Sequence, residues 1–183
     1  MKYALCTLLL AFVLLAPPAL AAEPVAAPAV EVEKEKPLST KEVTLVEVRK
    51  RQRRMFLLDD ENNVVRTYHI ALGRNPVGPK QQEGDSRTPE GKYTIDSRNG
   101  KSGYYRSLHI SYPNAEDIKR AKAKKVSPGG AIFIHGKPSF KFWMFWKYNK
   151  MNDWTDGCIA VDDKDMMEMW GLVKAGTAIH IKP

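Results

Sequence analysis

A mainly β domain with a few short helices is the fold class that this 183-residue chain predicts. Three observations carry it. Short runs rich in Val, Ile, Leu, Tyr and Thr recur from Val43 to Ile181, several of them alternating apolar with polar. Clusters of Gly, Pro, Asn and Asp separate these runs at close intervals. Two stretches, one at Asn114 and one after Asp162, carry a capping residue ahead of helical spacing.

The first 21 residues stand apart from this pattern. Lys2 precedes an apolar run from Ala4 to Ala16 broken only by Thr7, and Ala19-Leu20-Ala21 closes it with small residues, the layout of a secretory signal cleaved after Ala21. The run stops at Pro17-Pro18, short of the roughly 20 residues that span a bilayer, so no transmembrane segment is expected in the mature protein. Residues 22–42 are Ala, Pro, Glu and Lys with Pro24, Pro28 and Pro37 and no aromatic residue, a flexible linker that cannot bury enough surface to fold. Residues 43–183 remain as one domain.

Val43 to Val48 is strand-like and apolar on both faces, and the basic turn Arg49 to Arg54 leads it into Met55-Phe56-Leu57-Leu58. Asp59 to Asn63 is a polar turn, and Val64 to Leu72 is again β-rich and ends at Gly73. Short connections of this kind join neighbouring strands, so these three form an antiparallel meander. Arg74 to Pro89, punctuated by Gly and Pro, is an ordered loop. Lys92 to Asp96 and Ser107 to Tyr112 are two further strands. Asn114 caps a helix running to Lys125 with Ile118 and Ala121 on one face. Ser127-Pro128-Gly129-Gly130 turns the chain into a strand from Ala131 to Ile134, and Ile159 to Val161 is another. Asp162 or Asp163 caps a second helix whose Met166, Met169, Trp170 and Val173 fall at helical spacing, with Gly176 as its stop and Thr177 to Ile181 as the last strand.

The chain carries 29 basic and 21 acidic residues, a net charge of +8. For an exported protein this suits a polyanionic cell-wall polymer or membrane surface and not nucleic acid. No dinucleotide or phosphate glycine motif, internal repeat or heptad is present. Of two cysteines, Cys6 leaves with the signal, which makes Cys158 a lone thiol in an oxidising compartment. Such a thiol is reactive, forms an intermolecular bridge, or packs as a small hydrophobe.

His135-Gly136 follows the strand at Ala131, and Thr155-Asp156-Gly157-Cys158 precedes the strand at Ile159, so an imidazole and a thiol stand at strand ends. A free thiol has a pKa near 8.5 and needs a neighbouring base, which His135 can supply before it protonates a leaving amine. The N–H groups of Gly157 and Cys158 are candidate oxyanion donors. A thiol so activated is expected to alkylate faster near neutral pH than free cysteine. A metal site of Cys158, His135 and His109 lacks the close-spaced ligand pairs typical of zinc, so no metal is expected. The aromatic run Phe140, Phe142, Trp143, Phe145, Trp146, Tyr148 and Trp154 reads either as a lid over the cysteine or, through Phe140, Trp143 and Trp146, as a core-packing helix.

Thr88-Pro89-Glu90-Gly91-Lys92-Tyr93, Ser111-Tyr112-Pro113-Asn114, Ile134-His135-Gly136 and Thr155-Asp156-Gly157-Cys158, in this order, resemble the L,D-transpeptidase catalytic domain of the YkuD type. The resemblance implies a β-sandwich-like domain in an exported, periplasmic, cell-wall-associated enzyme of wall biogenesis and cell shape. It implies that Cys158 attacks the amide after the L-centre of meso-diaminopimelate in a peptidoglycan tetrapeptide stem, releases D-alanine, and passes the acyl group to an amine. His135 is then the base, the Gly136 carbonyl orients it, and Thr155, Asp156, Gly157 and the Cys158 backbone form the oxyanion and substrate region. No cofactor is implied, and the partners are peptidoglycan stem peptides, with a wall-anchored protein or lipoprotein as a further candidate. A hydrolase that trims stems or detaches wall-linked protein is the alternative reading, and a catalytically inactive wall-binding module is the alternative from another class. Two positions depart from the family: Asp156 stands where a histidine is usual, and Ala160 where many members carry arginine or asparagine. Lys137, Lys141, Arg87 and Arg106 are the basic residues that can take over the cation's place.

Overall fold

The computed structural model describes residues 38–138 and 152–183. The signal segment, most of the 22–42 linker and residues 140–151 of the aromatic run lie outside them. The first three strands, β1 (Leu45–Arg49), β2 (Arg54–Leu58) and β3 (Val64–His69), form the expected antiparallel meander. Contacts begin ahead of Val43, where Ser39 N donates to Val64 O at 2.8 Å.

The remaining strands are β4 (Gly91–Asn99), β5 (Ser107–Ile110), β6 (Phe133–His135), β7 (Ile159–Ala160) and β8 (Ala178–Lys182). Spatial order is β3-β2-β1-β8-β4-β5-β6-β7, so the last strand of the chain inserts at the centre, parallel to β1 and antiparallel to β4. A register shift between Ile95 and Ser97 bends β4: its first half pairs with β8 and its second with β5. The two edges then meet. Ala71, just past β3, and Ala160 of β7 exchange backbone hydrogen bonds at 2.9 and 2.8 Å, and Thr155 N reaches Leu72 O at 3.1 Å. The result is a curled, mainly β sheet whose unpaired edges are largely removed by closure.

Alternate residues of the strands fill the interior: Val46 and Val48, Met55 and Leu57, Leu108 and Ile110, Ile179 and Ile181. Each such side chain, fully buried, contributes about 1.5–3 kcal/mol. Helix α2 (Asp163–Leu172) adds Met166 and Met169, and Val173 follows them into the core, as their spacing predicts.

Three local readings change. Helix α1 (Ala115–Ala123) has its cap at Asn114, in a capping box with Asp117, but Ile118 is exposed and only Ala121 of the expected pair is buried. Asp117 takes the inward place because its carboxylate accepts from Tyr93 Oη at 3.0 Å and pairs with Arg120. Asp162 occupies the cap position of α2 without a side-chain cap bond, since Asp162 pairs with Lys137 Nζ at 2.8 Å and Asp163 accepts from Lys137 N at 2.7 Å. Strand β6 starts at Phe133 and not at Ala131, whose left-handed backbone (φ 54°) interrupts the extended run.

Loop 74–90 is ordered by two charges, a buried one at Lys50 and a partly buried one at Asp85. Lys50, 2% exposed, donates to Gly78 O at 2.7 Å, Thr88 O at 2.9 Å and Glu90 Oε1 at 2.8 Å, so all three ammonium protons have acceptors. Asp85 accepts from the N–H groups of Gln81, Gln82 and Arg87 and from Lys80 Nζ. Removing one partner of a buried pair strands the other charge. Lys50→Ala is therefore expected to destabilise the domain by about 3–5 kcal/mol in urea unfolding. A loss below about 1 kcal/mol, the value of an exposed pair, would show that Lys50 does not hold the loop.

Candidate active site

Strands β6 and β7 run parallel, with Ile134 opposite Ile159 and His135 opposite Ala160. His135 therefore ends one strand and Cys158 immediately precedes the other. The two side chains line one cavity of about 240 Å³, together with Thr155, Asp156, Trp154 and Tyr104.

Nδ1 of His135 lies 2.7 Å from Gly136 O, and a carbonyl only accepts, so Nδ1 carries the proton in this bond and Nε2 is left as the basic nitrogen. Tyr104 and Trp154 wall the imidazole, with ring centroids at 4.6 and 5.6 Å. Burial pushes the His135 pKa down, and the Gly136 carbonyl opposes this. The ring is the neutral base at neutral pH.

Burial pushes the Cys158 thiol up, with the Asp156 carboxylate adding to the rise, while the Phe133 N–H and the Lys80 ammonium oppose it. Sγ lies 3.7 Å from the Ala131 carbonyl that the left-handed backbone presents. The resting pair is thus thiol and imidazole. Against the expectation of fast alkylation stands the burial of this thiol, which disfavours the thiolate; iodoacetamide alkylation near neutral pH, compared with free cysteine, decides between the two.

The Thr155 hydroxyl donates to Cys158 O at 2.7 Å and accepts from Gly157 N at 3.2 Å, closing a tight turn ahead of β7. The Gly157 N–H, a predicted oxyanion donor, is therefore already engaged within the turn. Gly157 has φ 130°, and a Cβ there would lie 2.7 Å from Arg87 O. Gly136 is equally constrained, since a Cβ would meet Asp163 Oδ1 at 2.5 Å. Both glycines permit close packing behind the site.

Asp156 points outward, paired with Arg74 and within 3.3 Å of Ser86 Oγ. Ala160 is buried in β7 and lines neither cavity at Cys158. Of the basic candidates, Lys137 is held by Asp162, and Arg106 stacks on Tyr105 and Trp170. Neither these two nor Arg87 lines either cavity, and Lys141 lies outside the described residues. Lys80 does. It lines a second cavity of about 240 Å³ that shares Cys158 and Asp156 with the first. Tyr104 and Lys80 both sit on loops, where no periodicity marked them. His109 pairs with Asp96 at 2.6 Å, and no group of three or more potential metal ligands occurs among the described residues.

The YkuD family, the L,D-transpeptidase catalytic domain, matches residues 43–181. Over 81 residues the chain is 33% identical to YafK of Escherichia coli (strain K12), whose name assigns it provisionally to the L,D-transpeptidases; the match takes in 43% of this chain and 31% of that protein. Among solved structures, the helical cell shape determining protein Pgp2 from Campylobacter jejuni superposes with a TM-score of 0.58 at 24% identity, covering 77% of this chain and 48% of that one. Bd1075 of Bdellovibrio bacteriovorus gives 0.52 at 22% identity, covering 79% and 50%. The chain thus spans about half of these structures and a third of the curated relative. Likeness at this identity speaks for the shared fold, while the family match extends over most of the described domain. The chain belongs to the L,D-transpeptidase catalytic domain family.

Proposed function

We propose that the protein is a cysteine acyltransferase of peptidoglycan, with Cys158 as nucleophile and His135 as base. The supporting observation is the shared cavity: a lone thiol and a buried neutral imidazole, its tautomer set by Gly136 O, line it together. His135 Nε2 takes the thiol proton as Sγ bonds to the carbonyl carbon at the L-centre of meso-diaminopimelate, the carbon amide-linked to D-alanine. The C–N bond then breaks, the imidazolium gives its proton to the departing nitrogen, and D-alanine leaves a thioester. An incoming amine attacks that thioester, its proton passes to His135, and the S–C bond breaks to restore the thiol.

The Cys158 N–H is the backbone donor proposed for the oxyanion, because Gly157 N serves Thr155. Trp154 and Tyr104 shield the imidazole from water, which favours an amine over hydrolysis. The mature protein is proposed to work outside the cytoplasmic membrane, on the wall; no helix among the described residues is long and apolar enough to cross a membrane.

Incubation with purified tetrapeptide muropeptides tests the reaction through product mass. Cross-linked dimers, or stems with an exchanged terminal D-amino acid, are expected. Tripeptides alone, with excess amine present, would make the enzyme a hydrolase.

A further inference from the structure

Cys158 borders two cavities, and they differ in chemistry. The first holds His135 and the aromatic rings. The second is lined by Lys80, Glu83, the Gly129 to Ile132 backbone and Asp156. It combines a cation, Lys80, with the carboxylates of Glu83 and Asp156.

Lys80 is 5% exposed, and among the described residues its ammonium donates to Asp85 Oδ1 at 2.9 Å and to no other group. Two of its three protons are thus available. Asp85 pairs with it, but the carboxylate is itself saturated by three backbone N–H bonds, so the pair leaves unused donor capacity on the ammonium and none on the acid. Glu83 is exposed and held by Ser127 Oγ at 2.9 Å, and Asp156 is engaged by Arg74. The second cavity therefore offers an ammonium with two open donor positions and one carboxylate beside the nucleophile.

The proton path allots the two cavities. The imidazole that receives the thiol proton delivers it to the leaving nitrogen, so leaving and attacking amines occupy the His135 side of Sγ. The acyl residue bonded to Sγ extends the other way. In a meso-diaminopimelate stem that residue ends in a free ammonium and carboxylate on one carbon. We propose that the second cavity reads this amino-acid head of the acyl donor, Lys80 taking the carboxylate and Glu83 the ammonium. The assignment rests on the acyltransferase reading above and adds a specificity site to it.

Two tetrapeptide stems, identical except for meso-diaminopimelate or L-lysine at the third position, test it; lysine keeps the ammonium and lacks the carboxylate. D-alanine release is measured for the wild type, Lys80→Met and Glu83→Gln, and thiol alkylation by iodoacetamide in parallel. The wild type is expected to prefer the diaminopimelate stem. Lys80→Met is expected to lower kcat/KM on that stem by about 10- to 100-fold, the value of a charge-assisted hydrogen bond. On the lysine stem the loss should match only the slowing of alkylation, and Lys80→Arg should restore part of the preference. Glu83→Gln, at an exposed position where folding is not at stake, should lower both stems about threefold. Equal losses on the two stems with Lys80→Met, or no wild-type preference, would overturn the assignment while leaving the acyltransferase intact. If Lys80→Met does not fold, the wild-type preference and Glu83→Gln decide alone. Release from neither stem by the wild type would overturn the underlying reading, and the assignment with it.

Discussion

Cys158→Ala is expected to lower D-alanine release from tetrapeptide stems by at least roughly 10⁴-fold, the loss that follows removal of a covalent nucleophile. No other thiol can substitute: Cys6 lies in the predicted signal segment, and Cys158 is the free cysteine of the described domain. The variant should fold normally, because the side chain faces the cavity and its polar contacts are weak sulfur ones, the 3.7 Å approach to Ala131 O and the Phe133 N–H. Thermal unfolding separates the two effects. Activity within tenfold of the wild type, in a variant with unchanged unfolding, would place the nucleophile elsewhere.

The second large effect concerns His135. His135→Ala is expected to cost about 10²–10⁴ in kcat/KM, the range for a general base. Its pH signature is specific. Burial holds the folded-state pKa below the usual value near 6.5, so the neutral imidazole persists through neutrality and is lost only as pH falls through that lowered value. Wild-type kcat/KM should therefore be level around neutrality and fall on the acid side, and the acid limb should vanish in His135→Ala. Because burial raises the thiol, alkylation should also slow in that variant. An acid limb surviving the substitution would assign the base to another group.

The strands were legible where one face is buried and side chains alternate, as in Val46 and Val48 or Met55 and Leu57. Met166, Met169 and Val173 were legible as a helical stripe for the same reason. What the pattern could not carry was non-local: β8 inserting beside β1, and Ala71 meeting Ala160 to close the sheet. Ile118 was misplaced because periodicity does not reveal that a capped carboxylate, Asp117, has better partners inside. At the site, Cys158 and His135 stood out through their motifs. Lys80 and Tyr104 did not, since a loop residue reaches a cavity through tertiary contacts that leave no local signal. Residue 160 had suggested a missing cation; Ala160 is buried and lines neither cavity, and the cation that does line one of them, Lys80, comes from loop 74–90.

The thioester itself is the most direct object of measurement. Wild-type protein mixed briefly with a tetrapeptide muropeptide, quenched in acid and weighed intact, should gain the mass of the muropeptide less D-alanine. Proteolysis should map that gain to the peptide containing Cys158, and hydroxylamine should remove it. D-alanine release with no covalent species at any time, or an adduct on a peptide lacking Cys158, would contradict covalent acyl transfer by this cysteine.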